Sequence, residues 1–286
     1  MWIRFVLAIP LILAVVTCSG PTSSENEDED PYERITTASG RTWQLVWNDE
    51  FDRDGMPDGS KWQYDAGYIA NNEEQYYTIG RPENSRIEGG HLTIEARQEP
   101  YTSPTNVQAE YTSARLKTEG RAAWTYGRIE VRARLPRGRG MWPAIWMLGT
   151  NISQVGWPTC GEIDIMEHVG FQPTRVHANI HTRAFNHTIN TGKGASTTIE
   201  NPYDEFHVYA VEWLEDRLEF FVDGRQYFAY PKQEGYSNDE WPFDKPHFLI
   251  LNAAVGGDWG GQQGIDDSIF PTEFVIDYVR VYEQVE

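Results

Sequence analysis

The chain of 286 residues predicts an all-β fold, a sandwich of two antiparallel sheets within one domain. Three observations carry this expectation. Short runs of alternating apolar and polar residues, separated by turn signals, recur from about Gly40 onward. No stretch of helical length keeps an apolar period near 3.6 residues. Nothing recurs at the roughly 20–50-residue spacing of a solenoid or propeller.

Residues 1–18 hold an arginine near the start, an apolar run from Phe5 to Val16 and small residues after it. That run is too short to span a bilayer and reads as an export signal. Its "VVTC" end resembles a bacterial lipoprotein signal, which makes Cys18 the lipidated first residue of the mature chain. Thr17 departs from the small residue usual before that cysteine, and cleavage nearby with free secretion is the alternative. Residues 19–40 are polar and acidic, without the apolar content to fold, and read as a tether. The folded domain is expected over 41–286.

Within it, "LVWNDEF", "HLTIEARQ" and "TSARLKT" are strand candidates. "YGRIEVRARLP" is the cleanest, since Ile129, Val131, Ala133 and Leu135 alternate with Arg128, Glu130, Arg132 and Arg134. "PAIWMLG", "RVHANIHT", "FHVYAVEW", "HFLILNAAV" and "FVIDYVRVY" follow, and Asp223-Gly224 inside "RLEFFVDGRQYF" marks a hairpin. Of the two cysteines, Cys18 is assigned to lipid and Cys160 is left as a small buried filler, so no disulfide is expected.

With 43 acidic against 24 basic side chains, the net charge of −19 opposes binding to phosphate backbones and anionic membranes. Nucleic acid is excluded as a partner, and a membrane is reached only through the N-terminal lipid. Eleven Trp and 15 Tyr exceed what a core of this size needs, which points to rings that face a ligand.

The stretch "CGEIDIMEHVG" then raises a question of spacing. On a regular strand Glu162 and Asp164 share a face while Glu167 points the other way. One extra residue taken up as a β-bulge that includes Met166 returns Glu167 to the face of the other two. The glutamates are then four strand positions apart, about 13 Å along the backbone. Side chains leaning together close this toward the ~5–5.5 Å of retaining glycosidases. Like charges so close cannot all ionise freely, so their proton affinities separate. Glu162 is assigned as the nucleophile, Glu167 as acid and then base, and Asp164 as the group that orients Glu162. Three acids in six positions also occur on solvated strands or at cation sites; Ile163, Ile165 and Met166 between them favour a core strand whose acids project into a groove.

"GEIDIMEHVG" resembles the signature of glycoside hydrolase family 16, and the extra residue before the last Glu resembles its laminarinase branch. "WNDEF", "NNEEQYYT", "YTSARLKTEG", "GMWPAIWMLG" and "HFLILNAAVGGDWGG" are similar to that branch in the same order, from about Trp43 to Tyr282. The resemblance implies a concanavalin-like β-jelly-roll with a substrate cleft on its concave sheet, and retaining endo-hydrolysis of β-1,3-glucan without a catalytic cofactor. It implies the same roles for Glu162, Asp164 and Glu167. It places Trp142, Trp146 and His181 in the cleft, with Asn72 and Arg115 on sugar hydroxyls and Trp157 and Trp259 as loop platforms. It also implies a structural Ca²⁺ held by Glu50, the Gly90 carbonyl and Asp277. "DRDGMPDG" is no EF-hand, because Pro57 intrudes and the twelfth position is Gln63. The insert between Arg183 and Tyr203 is expected to form a rim loop. We expect an exported monomer, lipid-anchored at a bacterial outer membrane or cell surface. A lectin-like glycan binder, a mixed-linkage glucanase and a transglycosylase are the alternatives.

Overall fold

The computed structural model describes residues 33–285; Cys18, the segment read as an export signal and most of the segment read as a tether lie outside them. Eighteen strands follow in order. They are β1 (Arg34–Thr36), β2 (Thr42–Asp49), β3 (Gln63–Tyr64), β4 (Gln75–Tyr77), β5 (Ser85–Glu88) and β6 (His91–Thr102). Next come β7 (Gln108–Ser113), β8 (Arg115–Lys117), β9 (Gly127–Arg134), β10 (Met141–Gly149), β11 (Glu162–Glu167) and β12 (Arg175–His181). The last are β13 (Lys193–Thr198), β14 (His207–Trp213), β15 (Arg217–Val222), β16 (Arg225–Pro231), β17 (His247–Val255) and β18 (Thr272–Val285). Helix is confined to single turns such as α1 (Ile152–Val155) and α2 (Gly257–Gly260), as the missing helical period predicts.

Two sheets result. The larger runs β16-β15-β14-β9-β18-β6-β7-β4, with β1 and β2 joined through β18 and β5 beside β6. The smaller runs β13-β12-β11-β10-β17-β8-β3. Neighbouring strands are antiparallel except β4 and β7, which run parallel. Between the sheets lies one continuous core, to which the smaller sheet contributes Met141, Ile145 and Met147 of β10 and Leu249, Leu251, Ala253 and Val255 of β17. The larger sheet meets them with Ile129, Val131 and Ala133 of β9 and Val279 and Val281 of β18.

Two expectations are corrected. β1 lies within the span read as tether and pairs with β2 through Ile35 opposite Trp43, so the folded unit begins before residue 41. Three residues beside an acidic run carry too little pattern to show a strand whose partner supplies the order. "TSARLKT", read as one strand, is broken at Ala114, where the chain passes from β7 in the larger sheet to β8 in the smaller. The Asp223-Gly224 hairpin forms as expected, with both residues at positive φ (49° and 73°) between β15 and β16.

Candidate active site

The bulge expected in the acidic strand is present. Against β10, Trp146 faces Asp164 and Ile145 faces Met166, leaving Ile165 without an opposite residue. Against β12, Asp164 faces Asn179 and Glu167 faces His177, so that two residues, Ile165 and Met166, stand opposite the single Ala178. Ile163, Ile165 and Met166 are all fully buried in the core between the sheets. Two consecutive side chains therefore point inward, and Glu162, Asp164 and Glu167 emerge together on the outer face. Glu162 stands opposite Leu148 and Glu167 opposite Ala144, so four β10 positions separate them, the expected spacing. From the larger sheet, the Tyr227 hydroxyl reaches the Ile165 carbonyl at the bulge (3.5 Å).

Neighbouring strands build walls around the acids. On β12, Val176, Ala178 and Ile180 enter the core, so His177, Asn179 and His181 line the outer face. The His181 Nε2 lies 3.2 Å from Asp164 Oδ2 and 3.7 Å from Glu162 Oε1. Asn179 Nδ2 donates to Glu167 Oε2 (2.7 Å), and Trp142 Nε1 of β10 donates to Glu167 Oε1 (3.1 Å), so both oxygens of Glu167 are fixed. Gly194 of β13 is required by this arrangement, since a Cβ there would lie 2.0 Å from Asn179 Oδ1. Trp157, on the turn before β11, donates through Nε1 to Glu162 Oε2 (2.8 Å).

The remaining expected residues divide between two ends and one flank. At the Glu167 end the Trp259 ring meets Trp142 edge to face (centroids 5.6 Å) and His177 (4.9 Å). Asn72 Nδ2 donates to Asp258 Oδ1 (2.8 Å), so it ties down the loop that carries Trp259. At the Glu162 end Trp157, His181 and His187 form a ring cluster with centroids 5.1–5.9 Å apart. His187 belongs to the Arg183–Tyr203 stretch, which is not the loop expected throughout, because Lys193–Thr198 form β13 at the edge of the smaller sheet. On the β17–β8 flank the Arg115 guanidinium lies over the Trp146 ring (4.7 Å) and 3.0 Å from Asp65, while Trp146 Nε1 donates to Asn252 Oδ1 (2.7 Å). Asn179, His177, His187 and Asn252 were not singled out from sequence. The alternation of "RVHANIHT" places the first two on the face of His181 and was signal enough.

Burial sets the electrostatics. It raises all three acid pKa values above the ordinary carboxylate range, Asp164 adding to the rise at Glu162 and Glu167 to that at Asp164. His181 and the Trp157 N–H oppose the rise at Glu162; His181, Asn179 and Trp142 oppose it at Glu167. The upward shift moves these acids toward proton retention, the direction that a site which both donates and accepts protons requires. The His177 imidazole is pushed down to about 4 by burial and stays neutral. The Cys160 thiol is fully buried and pushed up to about 11, which fits the inert filler.

Of the residues expected to hold Ca²⁺ (Glu50, the Gly90 carbonyl and Asp277), both carboxylates are engaged by arginines. Both Glu50 oxygens accept from the Arg280 guanidinium (2.9 and 2.7 Å). Asp277 pairs with Arg132 and faces His91 Nε2 at 3.5 Å. The sequence shows these carboxylates but not the arginines that neutralise them; Arg280 lies 230 positions from Glu50. No step is assigned to a metal there.

Comparison with known proteins agrees with this geometry. Residues 72–280 match the model of the glycosyl hydrolases family 16. The chain is 49% identical to a beta-glucanase of Rhodothermus marinus over 284 residues, covering 96% of this chain and 94% of the relative. The laminarinase structure from Rhodothermus marinus superposes with a TM-score of 0.81 at 52% identity, covering 85% of this chain and 98% of the other. That of SCLam, a non-specific endo-β-1,3(4)-glucanase, superposes with a TM-score of 0.82 at 48% identity, covering 88% and 95%. Fold, acid ladder and relatives converge: the chain belongs to glycoside hydrolase family 16.

Proposed function

We propose that the protein is a retaining endo-hydrolase of β-1,3-glucan of the laminarin type. The observation that carries this reading is the bulge at Ile165 and Met166, which sets half-buried Glu162 and buried Glu167 on one face of one strand, four positions apart. In the first step the Glu162 carboxylate attacks the anomeric carbon. The glycosidic C–O bond breaks, and the Glu167 proton passes to the leaving oxygen. In the second step Glu167 takes a proton from water, whose oxygen displaces Glu162 from the glycosyl ester. Asp164, two positions from Glu162 on the same face and 3.2 Å from the His181 Nε2, orients the nucleophile. Asn179 and Trp142 keep the Glu167 carboxyl aimed at the scissile oxygen, and Trp157 does the same for Glu162.

Reducing-sugar release from laminarin by the wild type, with NMR of the first-formed anomer, tests this reading. Retained β configuration and loss of release in Glu162→Ser are expected. Binding of laminarin without release by the wild type would favour a glycan binder instead. The likeness to a non-specific endo-β-1,3(4)-glucanase makes mixed-linkage glucan the second substrate to assay.

The N-terminal reading supports export with lipid on Cys18. Cys18→Ala should move the enzyme from the membrane fraction to the medium, and an unchanged distribution would remove the anchor.

A further inference from the structure

One side of the acid ladder has the donor set and spacing of a transition-metal site. Among the described residues, one group of His, Cys, Asp or Glu side chains brings three ligand atoms within 4.8 Å of one another, namely Glu162, Asp164 and His181. Ligands bound tetrahedrally to zinc at about 2.1 Å are about 3.4 Å from each other. The His181 Nε2 stands 3.2 Å from Asp164 Oδ2 and 3.7 Å from Glu162 Oε1, on either side of that value. Asp164 is 2% exposed, and its buried Oδ2 has no hydrogen-bond partner, so it is available to a ligand between it and His181. The Trp157 N–H holds the other Glu162 oxygen, Oε2, which leaves Oε1 turned toward His181.

We infer that Glu162, Asp164 and His181 form a binding site for a late first-row divalent cation, zinc or copper, and that the bound ion blocks the nucleophile. One imidazole and two carboxylates suit these ions, whereas calcium and magnesium demand shells made of oxygen. No electron transfer is involved. The ion takes up lone pairs of Glu162 Oε1, Asp164 Oδ2 and His181 Nε2, and any proton on these atoms is released to solvent. Glu162 then has no free oxygen to attack the anomeric carbon, because its second oxygen remains with Trp157. Substrate and metal therefore exclude each other. The buried His181 Nδ1 has no hydrogen-bond partner, so the imidazole lacks the outer support typical of resident metal sites. This favours a reversible, inhibitory ion over a structural one.

Equilibrium dialysis of the intact protein against zinc, with metal quantified by mass spectrometry, tests the site without reference to activity. One zinc per chain is expected, displaced by saturating laminari-oligosaccharide. His181→Asn should weaken binding roughly tenfold or more, since one of three ligands is lost. His91→Gln removes the surface imidazole beside Asp277 and should leave binding unchanged. Zinc should raise the apparent KM for laminarin without lowering kcat, and calcium at equal concentration should do neither. Equal zinc binding by His181→Asn and wild type, or bound zinc that oligosaccharide does not displace, would overturn the site even if the enzyme proves active on laminarin. Absence of activity with displaceable zinc would instead count against the glucanase reading.

Discussion

The outer faces of the two sheets both carry buried acids, but they treat them differently. On and beside the larger sheet, buried Glu212 and Glu130 and half-buried Glu50 each face a guanidinium. Fully buried Glu212 pairs with Arg128 (3.1 Å) and Arg41, Glu130 pairs with Arg128 (2.7 Å), and Glu50 forks with Arg280. On the smaller sheet Glu162, Asp164 and Glu167 have no Lys or Arg within ion-pair distance among the described residues, only His181 and neutral N–H donors. Compensated acids are structural, because removing one strands its partner. Uncompensated acids raise the free energy of the fold, which makes Glu162, Asp164 and Glu167 the candidate functional groups.

The largest effect expected is on turnover. Glu162→Gln should lower kcat roughly 10⁴-fold or more in a reducing-sugar assay, with an unchanged circular dichroism spectrum. The same variant sharpens the contrast in stability. A carboxyl whose folded pKa is raised above its unfolded value stabilises fully below the unfolded pKa, and that contribution is lost as pH rises through the folded pKa. Burial raises Glu162 in this sense, so Glu162→Gln should melt higher than wild type at pH 8 and nearly level with it at pH 4. A lower melting temperature at pH 8 would mean that this acid, too, is compensated.

Glu212→Gln should behave in the opposite way, leaving Arg128 and Arg41 short of a charge and losing about 3–5 kcal/mol by denaturant titration, with kcat within twofold of wild type. Asn179→Ala should have a smaller effect, about 10- to 100-fold in kcat with KM little changed. Its N–H favours the ionised form of Glu167, so its loss should also move the alkaline limb of the pH–kcat profile upward. A profile that falls in amplitude without shifting would assign Asn179 to packing alone. The smallest effect expected is none: chelation of calcium should leave the melting temperature unchanged, because Arg280 and Arg132 already neutralise Glu50 and Asp277. A drop on chelation would break the distinction between the two faces.

Much of the site was legible because it follows from the two-residue period of a strand. The uneven spacing of Glu162, Asp164 and Glu167 could be resolved only by a bulge, and the register shows one. Trp142 and Trp146, four apart on β10, share the outer face by the same rule. What could not be read depends on contacts made across the fold. Glu50 meets Arg280, and Ala114 divides one apolar run between two sheets; each is decided by packing and not by neighbours in sequence. Asn179 falls between these cases, since its face was readable but its bond to Glu167 depends on Gly194 leaving room.

The paired inward side chains of Ile165 and Met166 carry a consequence for how such a gene can change length. Loss of the Met166 codon would return the strand to plain alternation, with all three acids still outward and the glutamates still four steps apart. The shortfall would appear in the core between the sheets, where the Met166 side chain is fully buried. An indel in the middle of the catalytic segment is thereby absorbed by oil rather than by chemistry.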